Sequence, residues 1–243
     1  MIANSDVIIV SSDDAKKDAE KFLPEVSVKS KVLRFVSKID NTCYDDIDYW
    51  NKVRNKYLTD KKFFYLPNQF WKHKNHLAVF NAVRLLKKSG SELRVYCSGP
   101  TDDYRNKNHI KTLNDFIKLN NLESNIILLG LVDRKDVFFL MRHAIAVINP
   151  SLFEGWSSTV EESKSMGKAM ILSDINVHRE QAPPNSEYFA PNNPKQLAEI
   201  MYKLWSNSDG SPDLDMERQA RQLLPERIKE YGEKYQRIVL DCL

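Results

Sequence analysis

Short apolar runs alternate along the chain with longer amphipathic runs. The short runs are rich in Val and Ile and predict buried strands, whereas the longer runs repeat apolar residues at helical spacing and predict helices. The predicted strands cover residues 7–10, 32–36, 63–66, 93–97, 125–129, 145–148 and 169–172. The predicted helices cover residues 13–22, 46–57, 76–88, 106–119, 134–142, 158–166, 194–205 and 216–240, with Pro225 as a break in the last one. A polar connector is expected over residues 37–45.

Strict alternation of strands and helices predicts an α/β fold in which a parallel sheet carries helices on both faces, a doubly wound, Rossmann-like arrangement. The strands are apolar throughout, as expected when both faces of the sheet are buried. Ligands of such sheets bind beyond the carboxyl ends of the strands. The loops to inspect are therefore residues 67–75, 98–105, 130–133, 149–158 and 173–180.

Composition narrows the class of protein. The chain has 243 residues and a net charge of +3, with no strong basic clustering, which argues against a nucleic-acid partner. The cysteines, Cys43, Cys97 and Cys242, are far apart and form neither a metal motif nor a disulfide framework. Without a basic signal segment or a long apolar stretch, the expected location is the cytoplasm. Basic residues of the tail leave open a peripheral contact with anionic lipid at the inner face of the membrane.

The segment from Asn149 to Glu162 carries the most chemistry. It predicts a buried strand, a turn of small residues and a helix that begins at the turn, with Glu154 and Glu162 on either side. Helix N-termini attract phosphate, because their first N–H groups have no intrahelical acceptor. Carboxylates nearby can accept hydrogen bonds from hydroxyl groups. The combination is typical of a site for a molecule with phosphates and many hydroxyls, such as a sugar nucleotide.

Two more loops fit this interpretation. Residues 66–76 form a basic and aromatic loop that opens a helix, where a lysine could neutralise a diphosphate. Gly130, in the Leu-Gly-Leu-Val loop, permits a flat base to approach the backbone closely.

The order of these loops resembles the C-terminal, donor-binding domain of GT-B glycosyltransferases of family 4, the glycosyl transferases group 1. That family carries E-G-[FW]-x-x-x-[VL]-x-E, which stands here from Glu154 to Glu162, followed by Gly-Lys-Ala-Met-Ile at residues 167–171 and Ser173-Asp174. The resemblance covers roughly residues 46–205. The strings QFWKHKNH and VHREQ resemble a bacterial subgroup associated with cell-surface polysaccharide assembly.

The resemblance implies one half of a GT-B fold and a remnant of the other half. Residues 1–38 correspond to a strand–helix–strand remnant of the N-terminal acceptor domain. Residues 39–243 correspond to the C-terminal, nucleotide-sugar-binding domain with its terminal helices. The expected partners are a nucleotide sugar and the missing acceptor domain or a separate chain that supplies it.

The resemblance also implies roles for single residues. Lys74 matches the lysine that contacts the donor diphosphate, and Glu154 matches the glutamate that faces the donor sugar; these two are the candidate catalytic residues. Glu162 matches the glutamate that holds the ribose. Gln69 stands where many members have an arginine, a charge that Lys72 could supply. The remaining donor-binding candidates are Gly130, Leu131 and Val132 at the base, and Gly155, Ser157, Ser158 and Thr159 at the phosphate turn, where Ser157 replaces a common glycine.

The expected function is retaining transfer of a sugar from a nucleotide diphosphate sugar to a polysaccharide or lipid-linked acceptor. No metal and no cofactor beyond the donor are expected, and the chain is expected to be inactive without an acceptor domain. The alternatives are a sugar-nucleotide-binding module without turnover, a subunit of a split glycosyltransferase, or another GT-B class such as a nucleotide-sugar epimerase. Packing is the favoured role for Phe70 and Trp71, and a structural or solvated role for His73, His76 and His178.

Overall fold

The computed structural model describes residues 5–59, 61–101, 103, 106 and 108–242. The predicted loop 98–105, the predicted helix 106–119 and the two ends of the chain therefore include residues outside the described part. The strands are β1 (Ile8–Val10), β2 (Ser30–Val32), β3 (Phe64–Leu66), β4 (Val95–Ser98), β5 (Ile126–Gly130), β6 (Val147–Asn149), β7 (Met170–Ser173) and β8 (Ser186–Phe189). The helices are α1 (Asp13–Phe22), α2 (Val26–Lys29), α3 (Thr42–Asp45), α4 (Ile47–Tyr57), α5 (His76–Lys88), α6 (His109–Leu119), α7 (Arg134–His143), α8 (Ser158–Met166), α9 (Asn176–Gln181), α10 (Pro194–Asn207) and α11 (Leu214–Leu240).

The main sheet has six parallel strands in the order β5-β4-β3-β6-β7-β8. The chain winds outward in one direction from β3 and then in the other direction from β6, so the order reverses between these two central strands. Alternate residues of β3 enter two separate cores. Phe64 and Leu66 pack under α5, α6 and α10, whereas Tyr65 packs with α3, α4 and α7. The predicted α/β fold with a buried parallel sheet is confirmed, and the crevice between β3 and β6 is where such folds bind ligands.

A second sheet contains β1 and β2, which pair in parallel around α1. Arg34 joins this unit to the main body, because its guanidinium contacts Asp13 and Glu180 at 2.6 Å each. The Glu180 carboxylate also accepts the N–H of Asp13, at the start of α1. Trp156 Nε1 donates to the carbonyl of Phe35 at 3.1 Å. The domain boundary at residue 38 stays a prediction, since these contacts cross it.

Several elements differ from the sequence-based expectation. The second strand lies at Ser30–Val32 rather than at residues 32–36, because its register is set by pairing with β1. The connector 37–45 contains α3, and α9 and β8 were not predicted. The helices α3 and α9 have only one or two turns each, which is too few for a helical repeat to show in the sequence.

The predicted break of the last helix at Pro225 is wrong, since α11 is continuous through it. A proline inside a helix removes a backbone hydrogen bond and costs about 3 kcal/mol. Tertiary contacts on both sides offset this cost. Leu224 packs in the core, and Arg227 Nη2 donates to Glu161 Oε2 at 2.6 Å.

Gly167 ends α8 in a left-handed conformation, with φ of +75°, directly against the start of α11. A Cβ at this position would clash with the backbone carbonyl of Met216. We therefore expect Gly167→Ala to lower the free energy of unfolding by more than about 2 kcal/mol, through left-handed strain and overpacking. Urea unfolding measures the change.

Gly232→Ala is the matched control. Gly232 lies within α11, and a Cβ there would meet open space. This variant should be more stable than the parent by about 0.5–1 kcal/mol, because alanine favours a helix. Equal unfolding midpoints for Gly167→Ala and the parent would contradict the proposed contact between α8 and α11.

Candidate functional site

The loops that follow β3 and β6 are tied together at the carboxyl edge of the sheet. Leu152 N donates to the carbonyl of His73 at 2.8 Å. Asn75 lies between the 3-10 turn Lys72–Lys74 and α5, and its Nδ2 donates to the carbonyls of Pro150 and Pro191 at 3.1 Å each. These bonds hold the basic loop after β3 against the glutamate loop after β6.

The two candidate catalytic residues form an ion pair that connects the loop after β3 to the loop after β6. Lys74 Nζ donates to Glu154 Oε1 at 2.6 Å, and each side chain is only 10% exposed. Ser151 Oγ lies 2.7 Å from the same carboxylate oxygen. A pair that is so well buried needs such additional hydrogen bonds to offset its desolvation. The sequence predicted both residues at the site but gave no sign that they contact each other.

Asn149 organises the polar groups behind the pair. This fully buried residue ends β6. Its Nδ2 donates to Ser157 Oγ at 2.8 Å, and its Oδ1 accepts from Asn68 Nδ2 at 3.2 Å. Ser151 Oγ lies 2.8 Å from the same amide oxygen. No role was predicted for Asn149, although a polar residue at the end of an apolar central strand is a signal that could have found it.

The start of α8 is fixed by Ser157. Its Oγ accepts from Val160 N as the helix cap. Its own N–H donates to Gln181 Oε1 at 3.2 Å, and its carbonyl accepts from Gln181 Nε2 at 3.0 Å. The hydroxyl, the backbone N–H and the carbonyl of Ser157 therefore all have hydrogen-bond partners within the protein. Helix geometry leaves the N–H groups of Ser158 and Thr159 without an intrahelical acceptor. Of the predicted phosphate turn, these two backbone amides are therefore the remaining candidate donors to a phosphate.

Glu162 lies on α8 with its side chain 6% exposed, and it pairs with a residue that the sequence did not suggest. Arg134 Nη2, from the first residue of α7, donates to Glu162 Oε1 at 2.6 Å. Burial raises the pKa of Glu162, and the hydrogen bond and charge of Arg134 oppose this rise. The sequence signal that could have identified Arg134 is its position directly after the loop of residues 130–133.

The other candidate residues are placed as follows. Gly130 adopts a φ of +67° and its carbonyl accepts from Gly99 N, after which Leu131 is exposed and Val132 is buried. Gln69 is half-buried, whereas Lys72 and Gly155 are exposed. In the part of the chain that the structure describes, the contacts of the Lys74–Glu154 pair come from Ser151 and from neither Gln69 nor Lys72.

The aromatic and histidine residues of these loops are mostly packed. Phe70 and His76 are fully buried and stack at 4.5 Å, and burial lowers the pKa of His76 to about 3. His178 is also buried, its pKa is lowered mainly by burial, and its Nδ1 lies 2.9 Å from the carbonyl of Ser173. The packing role of Phe70 and the structural role of these two histidines are confirmed. His73 differs, because its ring stacks at 4.5 Å on Phe153, which is exposed.

Among the residues described by the structure, no group of three or more His, Cys, Asp or Glu side chains could hold a metal ion. None of the helices in that part of the chain is both long enough and apolar enough to cross a membrane. The expected absence of a metal stays a prediction.

Comparison with known proteins decides the family. Residues 46–223 match glycosyl transferases group 1, and this match covers well over half of the chain. The chain belongs to that family. This group 1 transferase chain is 24% identical over 170 residues to an uncharacterized glycosyltransferase of Methanocaldococcus jannaschii, covering 70% of the chain and 40% of that protein.

Solved structures confirm the GT-B type of the fold. A glycosyltransferase from Rickettsia africae superposes with a TM-score of 0.75 at 18% identity, over 96% of this chain and 63% of that one. Anabaena HepE in complex with UDP and glucose superposes with a TM-score of 0.76 at 15% identity, over the same shares of the two chains. The group 1 chain thus spans less than two thirds of the length of these proteins.

Breaking the Lys74–Glu154 pair should destabilise the protein. Lys74→Met leaves a buried carboxylate without its cation, for which we expect a loss of about 3–5 kcal/mol in the free energy of unfolding. The double variant Lys74→Met/Glu154→Gln should recover part of that loss, because neither charge remains. Urea unfolding of the parent, both single variants and the double variant gives the coupling energy.

Lys72→Met is the control, since Lys72 belongs to the same turn and is exposed. It should change stability by no more than about 0.5 kcal/mol. If Lys74→Met and Lys72→Met unfold at the same urea concentration, the buried pair is not a stabilising contact.

Proposed function

We propose that this chain is the donor-binding part of a retaining glycosyltransferase, which moves a sugar from a nucleotide diphosphate sugar to a polysaccharide or lipid-linked acceptor. Family membership supports a transferase. The observation that carries the donor site is that Ser151 and Asn149 connect the Lys74–Glu154 pair by hydrogen bonds to Ser157, the N-cap of α8. A buried cation and two amide donors suit a diphosphate, and a carboxylate at the same place suits sugar hydroxyls.

Charge explains how this arrangement would promote transfer. Breaking the bond between sugar and diphosphate leaves negative charge on the departing phosphate oxygens. Lys74 carries three N–H donors, so it can keep its bond to Glu154 and still donate to that phosphate. The N–H groups of Ser158 and Thr159 are fixed in advance by the Ser157 cap, so they stabilise the developing charge without rearrangement. We infer that these groups make a divalent metal unnecessary.

The Glu154 carboxylate would contact the donor sugar. Its Oε1 contacts Lys74 and Ser151. Oε2 is then the oxygen that would accept a sugar hydroxyl. On α8, Glu162 would accept the ribose hydroxyls, and Gly130, Leu131 and Val132 would flank the base. Gln69 and Lys72 would lie at the edge of the diphosphate.

Sugar nucleotides as the ligand class are supported by the Anabaena HepE structures, which contain UDP, UDP with glucose, and UDP-glucose. UDP, GDP and ADP sugars are the candidate donors of this chain. The proposed location is the cytoplasm, at the inner face of the membrane if the acceptor is lipid-linked.

A binding module without turnover is the second candidate function. One observation favours it: β1 and β2 form a two-stranded sheet that leaves Ile9 on β1 and Phe22 on α1 exposed. Two strands alone rarely make a stable sheet. We propose that an acceptor domain or a separate chain covers this surface and supplies the acceptor side of the site. Release of nucleoside diphosphate from a bound sugar nucleotide by this chain alone would favour the enzyme over the binding module.

Removing a single amide donor tests the phosphate site. Ser158 is the first residue of α8, where proline is tolerated because its missing N–H has no intrahelical partner. Ser157 has φ of −82° and ψ of 119°, which a following proline accepts, and α10 already begins with Pro194. Ser158→Pro should therefore fold normally but bind sugar nucleotides about tenfold more weakly, through loss of one charge-assisted hydrogen bond.

Calorimetry with UDP, GDP and ADP and their glucose conjugates at millimolar concentration measures this effect. Ser158→Ala is the control, because it keeps the N–H group and should bind like the parent. Equal affinities for Ser158→Pro and Ser158→Ala would remove the α8 N-terminus from the site. If none of the nucleotides binds the parent, the donor-site proposal fails altogether.

A further inference from the structure

Arg134 is the charged residue beside the candidate site that no proposed role has used. It is the first residue of α7, directly after the loop that begins at Gly130. Its side chain is 63% exposed, yet Nη2 donates at 2.6 Å to Glu162, whose side chain is 6% exposed. The guanidinium carbon lies 4.7 Å from the centre of the Phe138 ring, within the range of a cation–π contact. An exposed arginine is thus held in one place by a buried carboxylate and an aromatic ring.

Glu162 depends on this contact. An ionised carboxylate that is buried without a partner carries a penalty of several kcal/mol and tends to become protonated instead. The neighbouring charges have other partners: Glu161 on α8 pairs with Arg227 of α11, and Asp133 before α7 pairs with Lys56 of α4. Among the described residues, Arg134 is the charged group that acts on Glu162, against a burial that raises the pKa of this carboxyl.

We propose that Arg134 is a positioning residue that keeps Glu162 ionised and fixed through Oε1, so that Oε2 remains free to accept hydroxyls of the donor ribose. This inference rests on the proposed donor site, since it assumes that Glu162 contacts the ribose. Arg134, although it lies outside the Glu154–Glu162 motif, would then contribute to the preference of the site for ribonucleotides. An ionised acceptor makes a stronger hydrogen bond to a hydroxyl than a neutral carboxylic acid does.

The hold of Arg134 on Glu162 can be measured without any ligand. The side-chain carboxyl carbon of Glu162, assigned by its loss in Glu162→Gln, is followed by 13C NMR as the pH changes. In Arg134→Met the midpoint of the Glu162 titration should move upward by at least about one pH unit relative to the parent. Arg134→Lys should move it less, because a cation remains.

Arg218→Met is the matched control, since Arg218 is equally exposed and pairs with Asp215 on α11. It should leave the Glu162 titration where it is in the parent. A Glu162 midpoint that is the same in Arg134→Met and Arg218→Met would overturn the proposal, even if both variants fold and bind nucleotides.

The second part of the proposal, that Glu162 contacts the donor ribose, is tested with UDP-, GDP- and ADP-glucose. The diphosphates of these compounds do not change charge near neutral pH. For the sugar nucleotide that binds, the 2′-deoxy analogue is titrated beside it at about pH 6 and about pH 8. The parent should prefer the ribose form about tenfold at both values. Arg134→Met should lose more of this preference at the lower pH than at the higher pH, because loss of the cation raises the pKa of Glu162 and a larger fraction of its carboxyl is protonated at the lower pH.

A preference for ribose that is the same in Arg134→Met and the parent at both pH values would overturn the claim that Arg134 supports ribose binding through Glu162. If none of the three sugar nucleotides binds the parent, both this claim and the proposed function are wrong. The NMR titration still decides whether Arg134 controls Glu162, so the two failures are distinguishable.

Discussion

Ser157 determines where α8 begins, and the geometry of the site depends on that point. Three hydrogen-bonding groups of this residue are engaged at once: Oγ caps the helix and accepts from Asn149, while Gln181 takes both the N–H and the carbonyl. A helix start that is held from β6 and from α9 cannot slip by a residue. Ser158 and Thr159 are therefore always the two residues that present open amides at the edge of the sheet.

Buried carboxylates around this helix each meet one cation from a different part of the chain. Glu154 pairs with Lys74 after β3, Glu161 with Arg227 of α11, and Glu162 with Arg134 of α7. Each pair must keep good geometry to offset its desolvation, so the pairs constrain the relative positions of the elements that carry them. This linkage explains why α11 continues through Pro225: Arg227 lies beyond the proline and is bound to Glu161.

The sequence predicted the elements whose signals are local. The strands of the main sheet, apart from β8, are apolar runs, and the bounds of α8 follow from a serine cap and a glycine stop. Gln181 and Arg134 were missed because each acts through a partner that is distant along the chain. The Lys74–Glu154 contact was missed for the same reason, although both residues were assigned to the site. The break predicted at Pro225 failed because tertiary contacts outweighed a local rule.

Amide 1H–15N spectra recorded during titration of the chain with UDP, GDP and ADP test the central claim most directly, namely that the α8 N-terminus beside Lys74 and Glu154 binds the donor diphosphate. The account predicts that one of these nucleotides binds and that the amide signals of Ser158 and Thr159 move most. The Ser157 amide should move less, because its N–H is already bonded to Gln181. Binding that leaves the Ser158 and Thr159 signals in place, or the absence of binding by all three nucleotides, would contradict the account.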